Sequence, residues 1–196
     1  MNMNHFTSKK LIAAAVLIAF GAGGRYLLQD VPNIETITVV SLLAGSLLGG
    51  PWTIVVGLST VAITDIFIGN TSILFYTWSA WAVMGVFGYA LHNRKKRIVK
   101  HSLELTGMGV LGTAFFFLIT NFGVWHLSGM YAHTVSGLML SYTMALPFLR
   151  MSMISTLLIV PSVSVVALAL WTYAPQLSFL NKNELAREYA KINIKE

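Results

Sequence analysis

Two carboxylates stand at opposite ends of one long apolar stretch, and of all the residues in this sequence they have the clearest potential for binding or chemistry. Glu35 lies near the start of the stretch 32–70, and Asp65 lies near its end. Because a carboxylate inside a bilayer is costly unless it is paired or hydrated, such a residue indicates a functional site by default. The alternative for Asp65 is a structural ion pair with Arg25 or Arg150.

The composition indicates a polytopic α-helical membrane protein. Of 196 residues, 56% are hydrophobic and only 10% are charged, against about 25% charged in soluble domains. The mean hydropathy is +0.71. The apolar stretches are continuous rather than alternating, which excludes a transmembrane barrel. The absence of cysteine excludes thiolate metal sites and cysteine nucleophiles.

Proline, glycine and polar residues divide the chain into six predicted transmembrane helices, and a span requires about 20 apolar residues. The predicted spans are 11–28, 36–48, 52–68, 73–91, 103–127 and 151–173. The segment 134–149 is short and interrupted by Pro147, so it is predicted to be a short outer re-entrant or surface helix before the last span. The transmembrane domain is then 1–173, followed by a charged, helical cytoplasmic tail at 174–196.

The basic residues predict the orientation of these spans. The net charge of +6 is concentrated in three clusters, at Lys9 and Lys10, at 94–100 and at 182–195. Cytoplasmic loops are enriched in lysine and arginine, and an even number of spans separates each cluster from the next. Both termini are therefore predicted to be cytoplasmic. The clusters fit a multi-pass protein of a lipid bilayer, and no nucleic-acid partner is predicted.

With this topology, most polar residues of the apolar region gather at the outer face. A channel would need polar groups along its whole depth, whereas one-sided clustering predicts a pocket that is closed from below. The predicted substrate-binding residues are Arg25, Asn33, Glu35, Asp65, Trp78, Trp81, Asn121, Trp125, His126 and Arg150.

Each of these residues also has a simpler interpretation. The tryptophans could stack on a planar ligand or form an interfacial belt. His126 and His133 are too weak a pair to predict a metal site, and interfacial hydration is the alternative. Arg25 could extend towards the outer headgroups.

Other motifs restrict the function further. No nucleotide-binding fingerprint occurs, nor does a known hydrolase motif, so the protein itself has no predicted ATPase activity. Ala15 and Ala19 are four residues apart and Ala22 follows one turn later. Small residues at this spacing allow close helix packing, either with another span or with another protein.

The pattern resembles the substrate-binding S component of energy-coupling factor (ECF) transporters over about residues 9–173. The segments "PNIETIT", "LLAGSLLG", "DIFIGN" and "TNFGVW" are similar to stretches in uncharacterised prokaryotic members of that superfamily. The resemblance implies capture of a vitamin or other micronutrient in an outward-facing pocket, without catalysis or a cofactor. It also implies docking through Ala15, Ala19 and Ala22 to a membrane scaffold subunit with two ATPase subunits, in the cell (inner) membrane of a prokaryote.

Two other classes remain open. A membrane enzyme would use Asp65 with His126, and a structural subunit would bind no small molecule. If a ligand binds, the presence of both charge signs favours a polar or zwitterionic micronutrient over a lipid. The arginines would suit an anion and the carboxylates a cation, and the sequence does not choose between them.

Overall fold

The chain is all-helical over the residues that the structure describes. The computed structural model describes residues 3–69, 72–94 and 97–193, with side chains for 8–69, 72–94 and 97–174, and these residues contain no strand. The helices are α1 (Met3–Leu27), α2 (Ile37–Leu43), α3 (Trp52–Ile68), α4 (Leu74–Tyr89), α5 (Ile98–Leu127) and α6 (Val135–Asn193). A π-helical turn, Ala44–Leu48, continues α2. The predicted helical class is confirmed, and helical structure occurs at all six predicted spans.

Glycine and proline explain the sharp boundaries of α3. Its start follows Pro51, which is tolerated there because the first turn of a helix needs no N–H partner. The residue after its last turn is Gly69, whose φ of 88° is a left-handed conformation that residues with a side chain rarely adopt. These residues reverse the chain on either side of α3, so both ends of this helix are set by local sequence.

The centre of the bundle is α2 with its π-helical turn. Every residue from Thr36 to Ser46 is buried, and α2 contacts α1, α3, α4, α5 and α6. A helix that is apolar on all sides must be surrounded by other elements. Glycine allows the surrounding backbone to come close, because a Cβ at Gly45 would overlap the carbonyl of Gly85 in α4.

The outer surface of the bundle is apolar. Large side chains are strongly exposed, for example Leu27 at 79%, Ile66 at 78% and Phe75 at 80%, which in water would be an unusually large apolar surface. In the part of the chain that the structure describes, three helices are long and apolar enough to cross a membrane, namely Ser8–Leu27, Ile98–Leu127 and Val135–Ala174. Ile37–Leu48 and Trp52–Ile68 are shorter apolar helices. The chain is therefore a helical membrane protein by length and composition, while the six crossings and their orientation stay predictions.

The structure corrects the prediction of a separate helix at 134–149. These residues and the predicted last span belong to the single helix α6, which passes through Pro147 without a break and continues to Asn193. Contacts with α5 hold the first part in place, because the Ser141 hydroxyl donates to the Asn121 carbonyl at 3.0 Å and the Tyr142 hydroxyl to the Leu118 carbonyl at 3.0 Å. Proline is tolerated inside membrane helices when neighbouring groups compensate for the missing hydrogen bond.

Candidate ligand-binding site

A cavity of about 640 Å³ opens where α1 ends, α2 begins, α3 ends and α4 begins, and α5 and α6 complete its wall. This volume lies within the range of about 300–1,000 Å³ for small-molecule sites. The lining residues are Arg25, Asn33, Glu35, Ile37, Thr38, Val61, Asp65, Ile68, Gly69, Thr77, Trp81, Met84, Thr113, Phe116, Phe117, Thr120, Asn121, Phe148, Leu149 and Ser152. Six of the ten predicted substrate-binding residues are among them: Arg25, Asn33, Glu35, Asp65, Trp81 and Asn121.

An ion pair joins α1 to α3 at one side of the cavity. Arg25 Nη1 lies 2.8 Å from Asp65 Oδ1 and also donates to the Thr64 hydroxyl at 2.6 Å. The indole N–H of Trp78 donates to Asp65 Oδ2 at 2.9 Å. Trp78 therefore does not line the cavity but orients a carboxylate that does. Of the two ion-pair partners considered for Asp65, the structure shows Arg25.

Close packing of α1 brings Arg25 to this position. The Thr36 hydroxyl donates to the Gly21 carbonyl at 2.8 Å, and a Cβ at Gly24 would overlap the Thr36 side chain. Gly21 and Gly24 have no side chain that would prevent this approach. The neighbours of this face are the start of α2 and, at Gly21, also Thr60 of α3.

The carboxyl of Glu35 is bound to the start of α2. Its Oε2 accepts the backbone N–H groups of Ile37 at 2.6 Å and Thr38 at 3.1 Å, and the Thr38 hydroxyl donates to Oε1. The first N–H groups of a helix lack intrahelical partners, so this side chain satisfies two of them. The backbone N–H of Glu35 donates to the Ser155 hydroxyl at 3.3 Å. This bond joins the connector between α1 and α2 to α6.

Desolvation by burial raises the pKa of Glu35 above its ordinary value of 4.5, although the hydrogen bonds from Thr38 and Ile37 and the charge of Arg25 act in the opposite direction. A carboxyl with a raised pKa in the folded protein favours folding fully below its unfolded pKa. That contribution is lost as the pH rises through the folded pKa. Glu35 lies in the connector between α1 and α2, outside the long spanning helices.

Glu35→Gln is therefore expected to remove a pH-dependent part of the stability. A glutamine oxygen still accepts the two N–H groups of α2, but it does not titrate. The apparent thermal transition of the wild type relative to the variant should be highest below about pH 4.5 and should fall as the pH rises above that value. A difference that stays constant across this range would contradict the assignment.

Aromatic side chains form the apolar wall of the cavity. The Trp81 ring, which is buried, contacts the Phe116 ring with centroids 4.5 Å apart and planes tilted by 44°. Phe117 and Phe148 complete this wall from α5 and α6. Offset and edge-to-face arrangements are the favourable ones for a pair of aromatic rings.

The polar side chains from α4 and α5 share one feature. The Thr77 hydroxyl donates to the Leu74 carbonyl at 2.9 Å, the Thr120 hydroxyl donates to the Phe116 carbonyl at 2.8 Å, and the Asn121 amide donates to the Phe117 carbonyl at 2.8 Å. Each group donates to its own helix, a common arrangement for such side chains.

Trp125, His126 and Arg150 lie outside this lining. His126 is five residues after Asn121, which places it roughly 140° around α5, and its Nδ1 shares a hydrogen bond of 2.7 Å with the Tyr76 hydroxyl. The Trp125 indole N–H donates to the Ala132 carbonyl at 2.9 Å, and Arg150 is exposed. The structure does not bring Asp65 and His126 together as a pair.

Sequence reasoning missed the cavity's hydroxyl groups, which come from Thr38, Thr77, Thr113, Thr120 and Ser152. Threonine and serine are common in membrane helices, so their type alone does not indicate a site. The spacing of Thr113, Thr120 and Asn121 at one face of a helix was the available signal.

A second polar cluster lies at the opposite end of the bundle, where few polar groups were expected. The Ser46 hydroxyl and Nε2 of the buried His101 are 2.6 Å apart, and His92 Nδ1 is 2.7 Å from the Ser46 carbonyl. They border a cavity of about 350 Å³. The expected concentration of polar groups at one end is therefore only partly correct.

Comparison with known proteins gives a family but no described activity. No curated protein and no solved structure matches the chain. The model of one family matches residues 5–177, which is most of the sequence. The chain therefore belongs to DUF6580, a family of unknown function.

Proposed function

We propose that this protein is the substrate-capture subunit of an ECF-type importer. The observation that carries the proposal is the cavity of about 640 Å³ at one end of the bundle. It combines an aromatic wall with a few placed polar groups, which is typical of small-molecule sites. In this proposal the protein performs no chemistry, and a polar vitamin or other micronutrient enters from outside the cell.

The proposed topology places the cavity at the outer face. Arg25 lies at the end of α1 and Thr77 near the start of α4, while Lys9 and Lys10 lie at the other end of α1. With cytoplasmic basic clusters, six crossings and both termini inside, the cavity opens outwards. The proposed location is the cell membrane of a prokaryote.

The exposed face of α1 supports docking to a membrane scaffold that carries ATPase subunits. Ala15 and Ala19 are exposed and Ala22 is half-buried, so the bundle does not use this alanine face for its own packing. Small side chains allow another membrane helix to approach closely. The scaffold and its ATPases would supply the energy for transport.

The rival proposal of a membrane enzyme receives less support from the geometry. Asp65 is bound by Arg25 and Trp78. His126 lies on a different face of α5 from Asn121 and is bound by Tyr76 of α4. A general acid or base needs a partner within hydrogen-bonding reach of the reacting group. The capture proposal uses Asp65 in the position that it occupies at the cavity and requires no role for His126.

The docking proposal predicts that bulky substitutions on the alanine face reduce the ATPase activity that copurifies with the chain. When the tagged chain is purified from its own host in a mild detergent, an ATP-hydrolysing complex should be recovered with it. Ala15→Trp with Ala19→Trp should reduce the recovered ATPase activity by at least about tenfold, which corresponds to about 1.4 kcal/mol of association free energy.

The matched control is Phe20→Trp, which adds bulk to an exposed position of the same helix roughly 100° from Ala19. It should leave the recovered activity unchanged. Equal losses in the control and the double variant would contradict docking through the alanine face. Wild-type preparations without ATP hydrolysis would contradict the importer proposal.

A further inference from the structure

The charged groups that border the cavity are already bound by the protein. Arg25 contacts Thr64 and Asp65, and Asp65 also accepts from Trp78. Glu35 is bound to the first turn of α2. The charge of Arg25 is thereby compensated by Asp65, so a charged ligand would compete with this partly buried ion pair for its counter-charge, and weakening such a pair is costly.

The polar groups on α4 and α5 present acceptors to the cavity. Thr77, Thr120 and Asn121 each donate to a carbonyl of their own helix. A hydroxyl oxygen and an amide oxygen keep lone pairs after the group has donated. A ligand that uses these acceptors carries N–H or O–H donors on its edge, while the second N–H of the Asn121 amide stays available to a ligand acceptor.

The apolar wall gives the shape of the ligand. Trp81 and Phe116 form a tilted pair, and Phe117 and Phe148 border the same space. Aromatic rings bury large flat areas and favour offset or edge-to-face contact with another ring. A volume of about 640 Å³ accommodates a heteroaromatic molecule of two or three rings.

From these three features we propose that the cavity binds an uncharged, planar heteroaromatic molecule with N–H or O–H donors on its edge. This inference rests on the proposed capture function and specifies the class of its substrate. It answers the choice between anion and cation that the sequence leaves open, because Arg25 and Asp65 neutralise each other and Glu35 is bound to the first turn of α2.

The test is capture from a complex mixture. The purified full chain in lipid nanodiscs is incubated with a small-molecule extract of its host's cells and washed, and the retained compounds are identified by mass spectrometry. Ser152→Phe, which fills part of the cavity, gives the background. Asn121→Leu removes an acceptor at similar size and should lower retention by up to about tenfold, the equivalent of one hydrogen bond. Trp125→Phe, outside the cavity, should retain the wild-type amount.

Each outcome decides between the two proposals. An uncharged heteroaromatic donor that is enriched on the wild type, but not on Ser152→Phe, supports both. Enrichment of a carboxylate, phosphate or amine overturns the inferred class and leaves capture in place. If nothing is enriched above the Ser152→Phe background, capture itself is overturned. A thermal transition is recorded for each variant, and Asn121→Leu provides the comparison if Ser152→Phe does not fold.

Discussion

Asp65→Asn is expected to lower the free energy of unfolding by about 2–3 kcal/mol, because it removes the carboxylate beside a guanidinium that the bundle has partly desolvated. Breaking a fully buried ion pair typically costs about 3–5 kcal/mol. The lower figure allows for solvent screening, since 26% of the Arg25 side chain is exposed against 9% of Asp65. The measurement is the unfolding transition of the detergent-solubilised protein.

A double-mutant cycle separates the pair from its surroundings. Arg25→Gln combined with Asp65→Asn should be less destabilising than the sum of the two single changes, because the second change removes the unpaired charge that the first one leaves. The matched control is Asp30→Asn, the same chemical change at an exposed acid in the following connector. Additive effects of the two site variants would show that Arg25 and Asp65 do not stabilise each other.

Gly85→Ala is expected to prevent correct packing of α4 against α3. A Cβ at Gly85 would overlap the backbone carbonyl of Thr53, and one at Gly88 would overlap the carbonyl of Leu42 in α2. A backbone carbonyl cannot turn away as a flexible side chain can, so whole helices would have to separate. The expected cost exceeds the about 1–3 kcal/mol of ordinary overpacking, and the yield of monodisperse protein should fall sharply.

Gly107→Ala on α5 is the matched control. A Cβ there meets nothing within 4 Å, so the variant should fold and gain about 0.5–1 kcal/mol from the higher helix propensity of alanine. Both variants add one methyl group to a helical glycine. Similar yields and transitions for the two would contradict the close approach of α3 and α4.

The local sequence determines some elements of this fold very directly. The range predicted for α3 is the observed one, Trp52–Ile68, because proline and glycine bound it on both sides. The break predicted at Pro147 is wrong for the opposite reason. A proline indicates where a helix can end, but the contacts of Ser141 and Tyr142 with α5 determine whether it does.

The candidate site, too, could be predicted only in part from the local sequence. Arg25, Glu35 and Asp65 could be placed at one end of the bundle, because chain reversals and basic clusters order the helices along the membrane normal. The rotation of each helix about its own axis could not be predicted in this way. Trp81 and Trp125 belong to a residue type that suits both an interface and a pocket. Only the packing of the helices places Trp81, against Phe116 of α5, in the cavity wall, whereas Trp125 lies one turn beyond Asn121 and outside the lining.

The two prolines within the apolar part of α6 divide it into sections of different mechanical freedom. Pro147 and Pro161 each remove one hydrogen bond from the helix ladder, and Phe148, Leu149 and Ser152, which border the cavity, lie between them. The section of α6 between the two prolines therefore has a missing backbone hydrogen bond at each end. Ser155 and Thr156 bind this section to the connector and to α5, while Ser141 and Ser164 bind the sections on either side. A bend of α6 at either proline would therefore change the width of the cavity.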